Sequence, residues 1–178
     1  SIGTLGVRTV NSFKSLPNTT IDPIELAKTL KKLKKQKIEN VIMEASSHGL
    51  KQNRLDGLLF NIGIFTNLSH DHLDYHKNFN DYLNSKLYLF KRLLKKNGDL
   101  ITDQNIPEFR KIEKISKLKK LNLNVISNNK KNFGIRVTSH RFNGESQVVH
   151  VNYKRLNLKF KINLIGKIQI KNILMALI

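Results

Sequence analysis

Two short stretches stand out for side chains able to bind a metal or move a proton: Met43-Glu44-Ala45-Ser46-Ser47-His48-Gly49-Leu50 and Thr66-Asn67-Leu68-Ser69-His70-Asp71-His72-Leu73-Asp74-Tyr75-His76. The second packs three His and two Asp between His70 and His76. Imidazole and carboxylate at that density suit a divalent cation, and they also suit a polar surface loop. A dinuclear hydrolase would need His-x-His-x-Asp-His, and Tyr75 stands where the last His belongs. Glu44 closes an apolar run, where a carboxylate is costly to bury unless it is paired or metal-bound. The alternative is a Glu at a strand rim, bonded to a helix start. Ser46, Ser47 and His48 do not make a triad by adjacency, because a nucleophile and its base must approach in space.

The elements that position these stretches follow from periodicity. Asp22-Pro23-Ile24-Glu25 is a helix start, with Asp22 as cap, Pro23 in the first turn and Glu25 at the capping-box position. Leu26, Leu30 and Leu33 recur at helical spacing, and Lys31, Lys32, Lys34, Lys35 and Lys37 form the expected solvated face. Residues 40–44 read as a short apolar strand, 50–58 as a short polar helix or loop, and 61–66 as a buried strand. Asp81 to Leu94 reads as a helix striped by Leu83, Leu87, Phe90 and Leu94, with Gly98 past its end. A strand over 99–102, a helix from Pro107 to about Leu118 and a strand over 121–127 complete an α/β pattern with a mostly parallel sheet flanked by helices. After about Lys131 the period becomes two: 133–138, 147–152 and 156–162, with Asn143-Gly144 as a turn, predict an antiparallel β-meander towards the C-terminus with one wet face. Both chemical stretches follow an expected strand, and ligands gather at the carboxyl ends of strands in such sheets.

The 178 residues carry 32 Lys+Arg against 13 Asp+Glu, a net charge of +19, and no Cys. The absence of Cys excludes a disulfide framework, thiolate zinc and a cysteine nucleophile. No apolar run approaches the roughly 18–20 residues of a membrane span, so the protein is expected to be cytoplasmic, with no membrane partner. Residues 114–178 hold 14 basic side chains and a single acid, Glu145. That half reads either as a nucleic-acid surface or as the product of A+T-rich codons in a chain with 25 Lys and 21 Asn. The chain opens without Met in an expected strand tail (Ser1 to Val7) and ends within an apolar helical pattern, and is therefore expected to be an excerpt of a longer protein.

Taken in order, Glu-x-Ser-Ser-His-Gly-Leu from Glu44, Gln52-x-Arg54, Thr-Asn-Leu-Ser-x-Asp-His-Leu-Asp-Tyr-His from Thr66, and Lys86 on the next helix resemble the central ATP-binding domain of the Mur ligases. The resemblance runs from Gly3-Thr4 through Asn18-Thr19-Thr20 to Gly166-x-x-Gln169-x-x-Asn172-x-Leu174-x-Ala176. It is nearest to the branch that adds the third peptide residue. It implies a P-loop NTPase-like fold and an enzyme that phosphorylates a peptide carboxylate with ATP and lets an incoming amine displace phosphate. Residues 1–178 would then be a partial central domain, lacking the upstream phosphate loop and the C-terminal domain. No G-x-x-x-x-G-K-[ST] loop occurs in the chain, and Gly166-Lys167 is followed by Ile168.

The resemblance also implies roles. Glu44 and His72 would hold Mg²⁺ near the ATP γ-phosphate. An imidazole is not the usual hard-oxygen ligand of that ion, so the His72 role rests on the family. Lys86 would be the lysine that CO₂ carbamylates into a second metal ligand, although from sequence it is one helix lysine among many. Thr19, Thr20, Ser46, Gln52 and Arg54 would contact the UDP-N-acetylmuramoyl-dipeptide, with Arg54 offering a planar fork to an anion. Asn172 and Gln169 would lie near the adenine, Gln169 standing where many relatives have Asn. Thr102-Asp103-Gln104-Asn105 departs from the relatives' Asn-Ala-Asp-Asp. The implied partners are that nucleotide precursor and an amino acid, meso-diaminopimelate in the first reading, with the protein acting as a monomer and binding no nucleic acid. Rival readings are another Mur ligase, a folylpolyglutamate synthetase, or a basic nucleic-acid-binding module.

Overall fold

The computed structural model describes residues 1–69, 71–127 and 134–178. His70 and Phe133, both used in the readings above, lie outside the described residues. The chain divides into two compact units, one of residues 1–59 and 71–93, the other of residues 60–69 and 94–178.

The first unit opens on a small antiparallel sheet of β1 (Ile2–Gly3), β2 (Gly6–Arg8) and β3 (Phe13–Lys14). The expected strand tail over Ser1–Val7 is therefore a hairpin, with Gly3 opposite Gly6. The strand expected over 40–44 reduces to one parallel bridge between Met43 and Ile2, flanked by Ile2 N donating to Ile42 O (2.8 Å) and Glu44 N to Ile2 O (2.9 Å). Its partner β1 is only two residues long, so the ladder has one rung.

Helix α1 (Pro23–Lys35) starts where expected: Asp22 Oδ1 accepts from Ile24 N at 2.8 Å and Glu25 N at 3.3 Å. The capping box does not close. Glu25 instead takes Lys14 Nζ at 2.6 Å, and that hydrogen bond and charge hold its carboxyl below the usual range. An ammonium is a stronger partner than a backbone N–H. Leu26 and Leu33 are buried while Lys31, Lys32, Lys34 and Lys35 are exposed, as the periodicity predicted.

Helix α2 (Ser47–Lys51) is short, and α3 (Phe79–Tyr88) is capped by Asn78, whose Oδ1 accepts from Asp81 N at 2.9 Å. A π-helical turn, Leu89–Leu93, follows. The helix thus ends before Leu94, which instead begins a strand, and the buried stripe is Leu83, Leu87, Phe90 and Leu93.

The second unit is a six-stranded sheet in the order β4 (Phe60–Phe65), β5 (Leu94–Asp103), β6 (Asn122–Ser127), β7 (Gly134–Phe142), β8 (Gln147–Tyr153), β9 (Leu156–Ile162). The first three pairings are parallel and the last two antiparallel, so the expected mostly parallel sheet with a C-terminal meander is the one found. The turn at Asn143-Gly144 is tied by Asn143 Oδ1, which accepts from Ser146 N at 2.8 Å. Helices α4 (Phe109–Lys119) and α5 (Lys167–Leu177) pack on β5 and β6. Ile101, Ile126, Ile135, Val149, Val151 and Ile162 form a core with Ile170, Leu174 and Met175 of α5, each such side chain contributing about 1.5–3 kcal/mol of burial. The strand expected to be buried, β4, is half-buried. Gly63 and Phe65 are buried, while Ile62 and Ile64 alternate with them and are exposed. Among the described residues no helix is long and apolar enough to cross a membrane.

Candidate substrate and metal site

In the first unit a continuous hydrogen-bond network starts at the β1–β2 turn. Thr4 donates to Glu44 Oε2 from its backbone N (3.0 Å) and its hydroxyl (2.7 Å), and its Oγ1 lies 3.0 Å from Thr19 Oγ1. Glu44 is exposed and paired, so the cost of burying a carboxylate at a strand end does not arise. Its side chain lies over Gly3, where a Cβ would stand 2.5 Å from Glu44 Cδ and 2.7 Å from Oε1. Only glycine leaves room for the carboxylate there. Both Thr4 bonds end on Oε2, leaving Oε1 for another partner.

Thr20, which is buried, joins this carboxylate segment to the next. Its hydroxyl donates to Glu44 O and accepts from Ser46 N, both at 2.9 Å. Ser46 caps α2, its Oγ accepting from Gly49 N at 3.1 Å, and Gly49 packs so closely that a Cβ would meet Thr20 Cβ at 2.6 Å. Arg54 Nη1 donates to Thr20 O at 2.6 Å, Arg54 Nε to Gln52 Oε1 at 2.7 Å, and Gln52 Nε2 to Tyr75 Oη at 2.9 Å. The network therefore links Thr19, Thr20, Ser46, Gln52, Arg54 and Glu44, residues spread over 36 positions of sequence between Thr19 and Arg54.

The segment carrying His72 closes on itself. Asp71 Oδ1 accepts from His72 N (2.8 Å), and His72 O accepts from Tyr75 N (3.2 Å) and His76 N (3.0 Å). His72 has a φ of +58°, uncommon for a residue with a side chain. Its ring stands edge-on to His48 at 5.1 Å and to Tyr82 at 5.7 Å between centroids. Lys86, half-buried on α3, places its Nζ 5.4 Å from the centroid of the same Tyr82 ring. Tyr82 is thus the common neighbour of His72 and Lys86. Burial pulls the His48 imidazole below its ordinary range, and the neighbouring His72 adds to that shift.

His76 is fully buried, stacked on Tyr82 at 5.0 Å, with Nε2 2.9 Å from Ser47 Oγ and Nδ1 3.6 Å from Asp81 Oδ2. Ser47, His76 and Asp81 have the connectivity of a nucleophilic triad, assembled from a histidine remote in sequence rather than from His48. Ser47 and His76 are sealed from solvent, and Asp81 is taken by the Lys51 ammonium and by Lys77 N at 3.0 Å. A buried hydroxyl with no open approach does not attack a substrate, so this is a packing network. Burial first, then Lys51, lowers the His76 pKa, while the hydrogen bond from Lys51 lowers that of Asp81. His76 is therefore neutral at neutral pH, and among the described residues Nδ1 has no hydrogen-bond partner.

Among the described residues no three His, Cys, Asp or Glu converge as a metal cage. Mg²⁺ does not require such a cage, because it keeps several waters and takes one or two carboxylates besides phosphate oxygens. Glu44, with Oε1 uncommitted, fits such a role. In the second unit Gln169 and Asn172 are exposed, on the side of α5 turned away from Ile170, Leu174 and Met175. Sequence reasoning gave no role to Thr4, Tyr75, Tyr82 or the Lys51–Asp81 pair. In the sequence Tyr75 figured as an interruption of a histidine pattern and as a letter of the family motif, without a role of its own.

The family model of the Mur ligase middle domain matches residues 1–178. A UDP-N-acetylmuramoyl-L-alanyl-D-glutamate–2,6-diaminopimelate ligase of Zymomonas mobilis is 36% identical over 99% of the chain, which covers 36% of that protein. A solved structure of a ligase of the same name superposes with a TM-score of 0.85 at 25% identity, over 98% of this chain and 35% of that one. The MurF ligase of Thermotoga maritima in complex with ADP shares the fold at a TM-score of 0.58 and 13% identity, over 75% and 29% of the two chains. The chain belongs to the Mur ligase family, as its middle domain. It spans about a third of the length of the curated relatives it matches.

Proposed function

We propose that the protein containing this domain is an ATP-dependent amide ligase. It joins 2,6-diaminopimelate, in its meso form, to the terminal carboxylate of UDP-N-acetylmuramoyl-L-alanyl-D-glutamate. A carboxylate oxygen of the dipeptide attacks the γ-phosphorus of ATP, and ADP leaves. The amine of the incoming amino acid then attacks the acyl carbon, phosphate leaves and the nitrogen loses a proton. The observation that carries the reading is the single network joining Thr19, Thr20, Ser46, Gln52 and Arg54 to Glu44, in a chain 36% identical across nearly its whole length to a ligase of that name.

In this reading Arg54 and Gln52 present donors to the precursor, and the Thr4 and Thr20 bonds fix Glu44 and Ser46 relative to it. Glu44 and His72 would hold Mg²⁺, which when bound would supply neutralisation of phosphate charge. Lys86, as a carbamate, is an anion suited to a second ion. Gln169 and Asn172 offer amides to the adenine. The domain works in the cytoplasm with ATP, the nucleotide precursor and an amino acid.

The test is a ligase assay of the full-length protein carrying Glu44→Ala, His72→Ala or Lys86→Ala. Loss of about 10²-fold or more in turnover is expected for each, the scale of a charge-stabilising group. Undiminished turnover in all three overturns the site. Substrate competition with a folate polyglutamate acceptor separates this reading from a folylpolyglutamate synthetase.

A further inference from the structure

Tyr75 meets three parts of the candidate site at once. Its ring lies on His48 with centroids 4.0 Å apart and planes at 32°, the Lys51 ammonium stands 5.4 Å from its centroid, and its edge meets the His76 ring at 5.1 Å. Lys51 is itself held by Asp81. The ring is thus fixed from several sides although the residue is exposed. Its backbone N–H donates to His72 O, which ties it to the turn carrying His72.

The hydroxyl has a defined job. Arg54 Nε is a donor only, so the Gln52 amide must turn its oxygen to Arg54 and its nitrogen to Tyr75. Tyr75 therefore accepts from Gln52, and its own proton remains to be donated. Gln52 keeps a second N–H, and Arg54 keeps the guanidinium donors not used by Thr20 O and Gln52. Three neighbouring side chains present donors, which suits an acceptor-rich anionic group such as a carboxylate or a phosphate.

We propose that Tyr75 is a positioning residue for the nucleotide precursor: its hydroxyl fixes the Gln52 amide, and through it the Arg54 fork, in the donor arrangement that receives an anionic group of that substrate. The inference rests on the reading of this face as precursor-binding given above.

The experiment is steady-state kinetics of the full-length protein with UDP-N-acetylmuramoyl-L-alanyl-D-glutamate varied and ATP and 2,6-diaminopimelate saturating. Tyr75→Phe keeps the ring contacts and removes one hydrogen bond, so KM for the precursor should rise about tenfold, with kcat and KM for ATP within about twofold. Gln52→Ala should raise the same KM, and the double variant should be no worse than Gln52→Ala alone, as residues acting through one another require. If Gln52→Ala raises KM and Tyr75→Phe does not, the Tyr75 inference falls and the precursor-binding reading stands. If neither raises it, both fall. A Tyr75→Phe effect on kcat alone, or additive KM effects in the double variant, also overturns it.

Discussion

Lys171 sits on the wrong face of α5 for an ordinary surface lysine. It shares the core side with Ile170, Leu174 and Met175, and its ammonium meets Oδ2 of Asp103, a carboxylate with no solvent exposure at the end of β5. Asp103 Oδ1 accepts from Asn105 N and Nδ2, each at 2.9 Å. Among the described residues Oδ2 has no aligned hydrogen bond, so Lys171 supplies it with charge rather than a directed donor. Removing one partner of a fully buried pair costs about 3–5 kcal/mol. The Lys171 side chain is 46% exposed, and water partly screens it, which brings the expected cost of Lys171→Met to about 2 kcal/mol. Hydrogen exchange of the α5 amides in the full-length protein reads this locally, as about a 30-fold acceleration. In an Asp103→Asn background the carboxylate is gone, and the same substitution should change exchange by less than about threefold. Unchanged exchange in Lys171→Met, or equal acceleration in both backgrounds, would refute the pair as the element that fastens α5.

Gly3→Ala should displace Glu44 from Thr4, since the new Cβ would lie 2.5 Å from Glu44 Cδ; the Mg²⁺ concentration giving half-maximal ligase activity should rise by about 10–100-fold, the range for partners that orient a metal ligand, and an unchanged Mg²⁺ dependence contradicts it. Acid should weaken the first unit in two windows. Burial depresses the His76 pKa below 6.5, so the unfolded chain binds the proton more readily, and the stability present above pH 6.5 is lost as pH falls through the depressed value. Asp81, depressed below 3.8 by Lys51, contributes stability above that pH and loses it only in stronger acid. His76→Gln should flatten the pH dependence of the urea midpoint between about pH 7 and 5, and an unaltered slope would count against this. Intact-mass measurement of the full-length protein at high bicarbonate should show one CO₂ added, absent in Lys86→Arg.

The α/β order and the meander were legible because period and turn residues act locally: Asp22 caps, Asn143-Gly144 turns, and strands of period two pair in sequence. The misreadings arose where a neighbour decided the outcome. Glu25 has the right spacing for a capping box, and Lys14, 11 residues upstream, outbids Asp22 N for its carboxylate. Residues 40–44 are apolar enough for a strand, and β1 is too short to pair with them. Leu94 continues the helical stripe, and the parallel ladder takes it instead, opposite Phe60.

The candidate site divides along the same line. Glu44, His72 and the Gln52–Arg54 pair carry polar groups at positions a sequence can flag. What holds them is invisible there: Gly3 acts by lacking a Cβ, Thr4 by its hydroxyl and backbone N–H, and Tyr75 by its hydroxyl. In the second unit, Asp103 and Lys171 meet across 68 positions of chain and are just as hidden from local reading. Asp103 stands where the family pattern differs and Lys171 stands on an apolar helix face, so each alone breaks a local rule. Together they satisfy it, because a buried carboxylate and a cation on the core side of a helix are tolerable only as a pair. Two such exceptions far apart in a basic chain are thus a sign of contact, and the scarcity of acids makes the sign easier to see: among 13 acidic side chains, one that is wholly buried must have its cation close by.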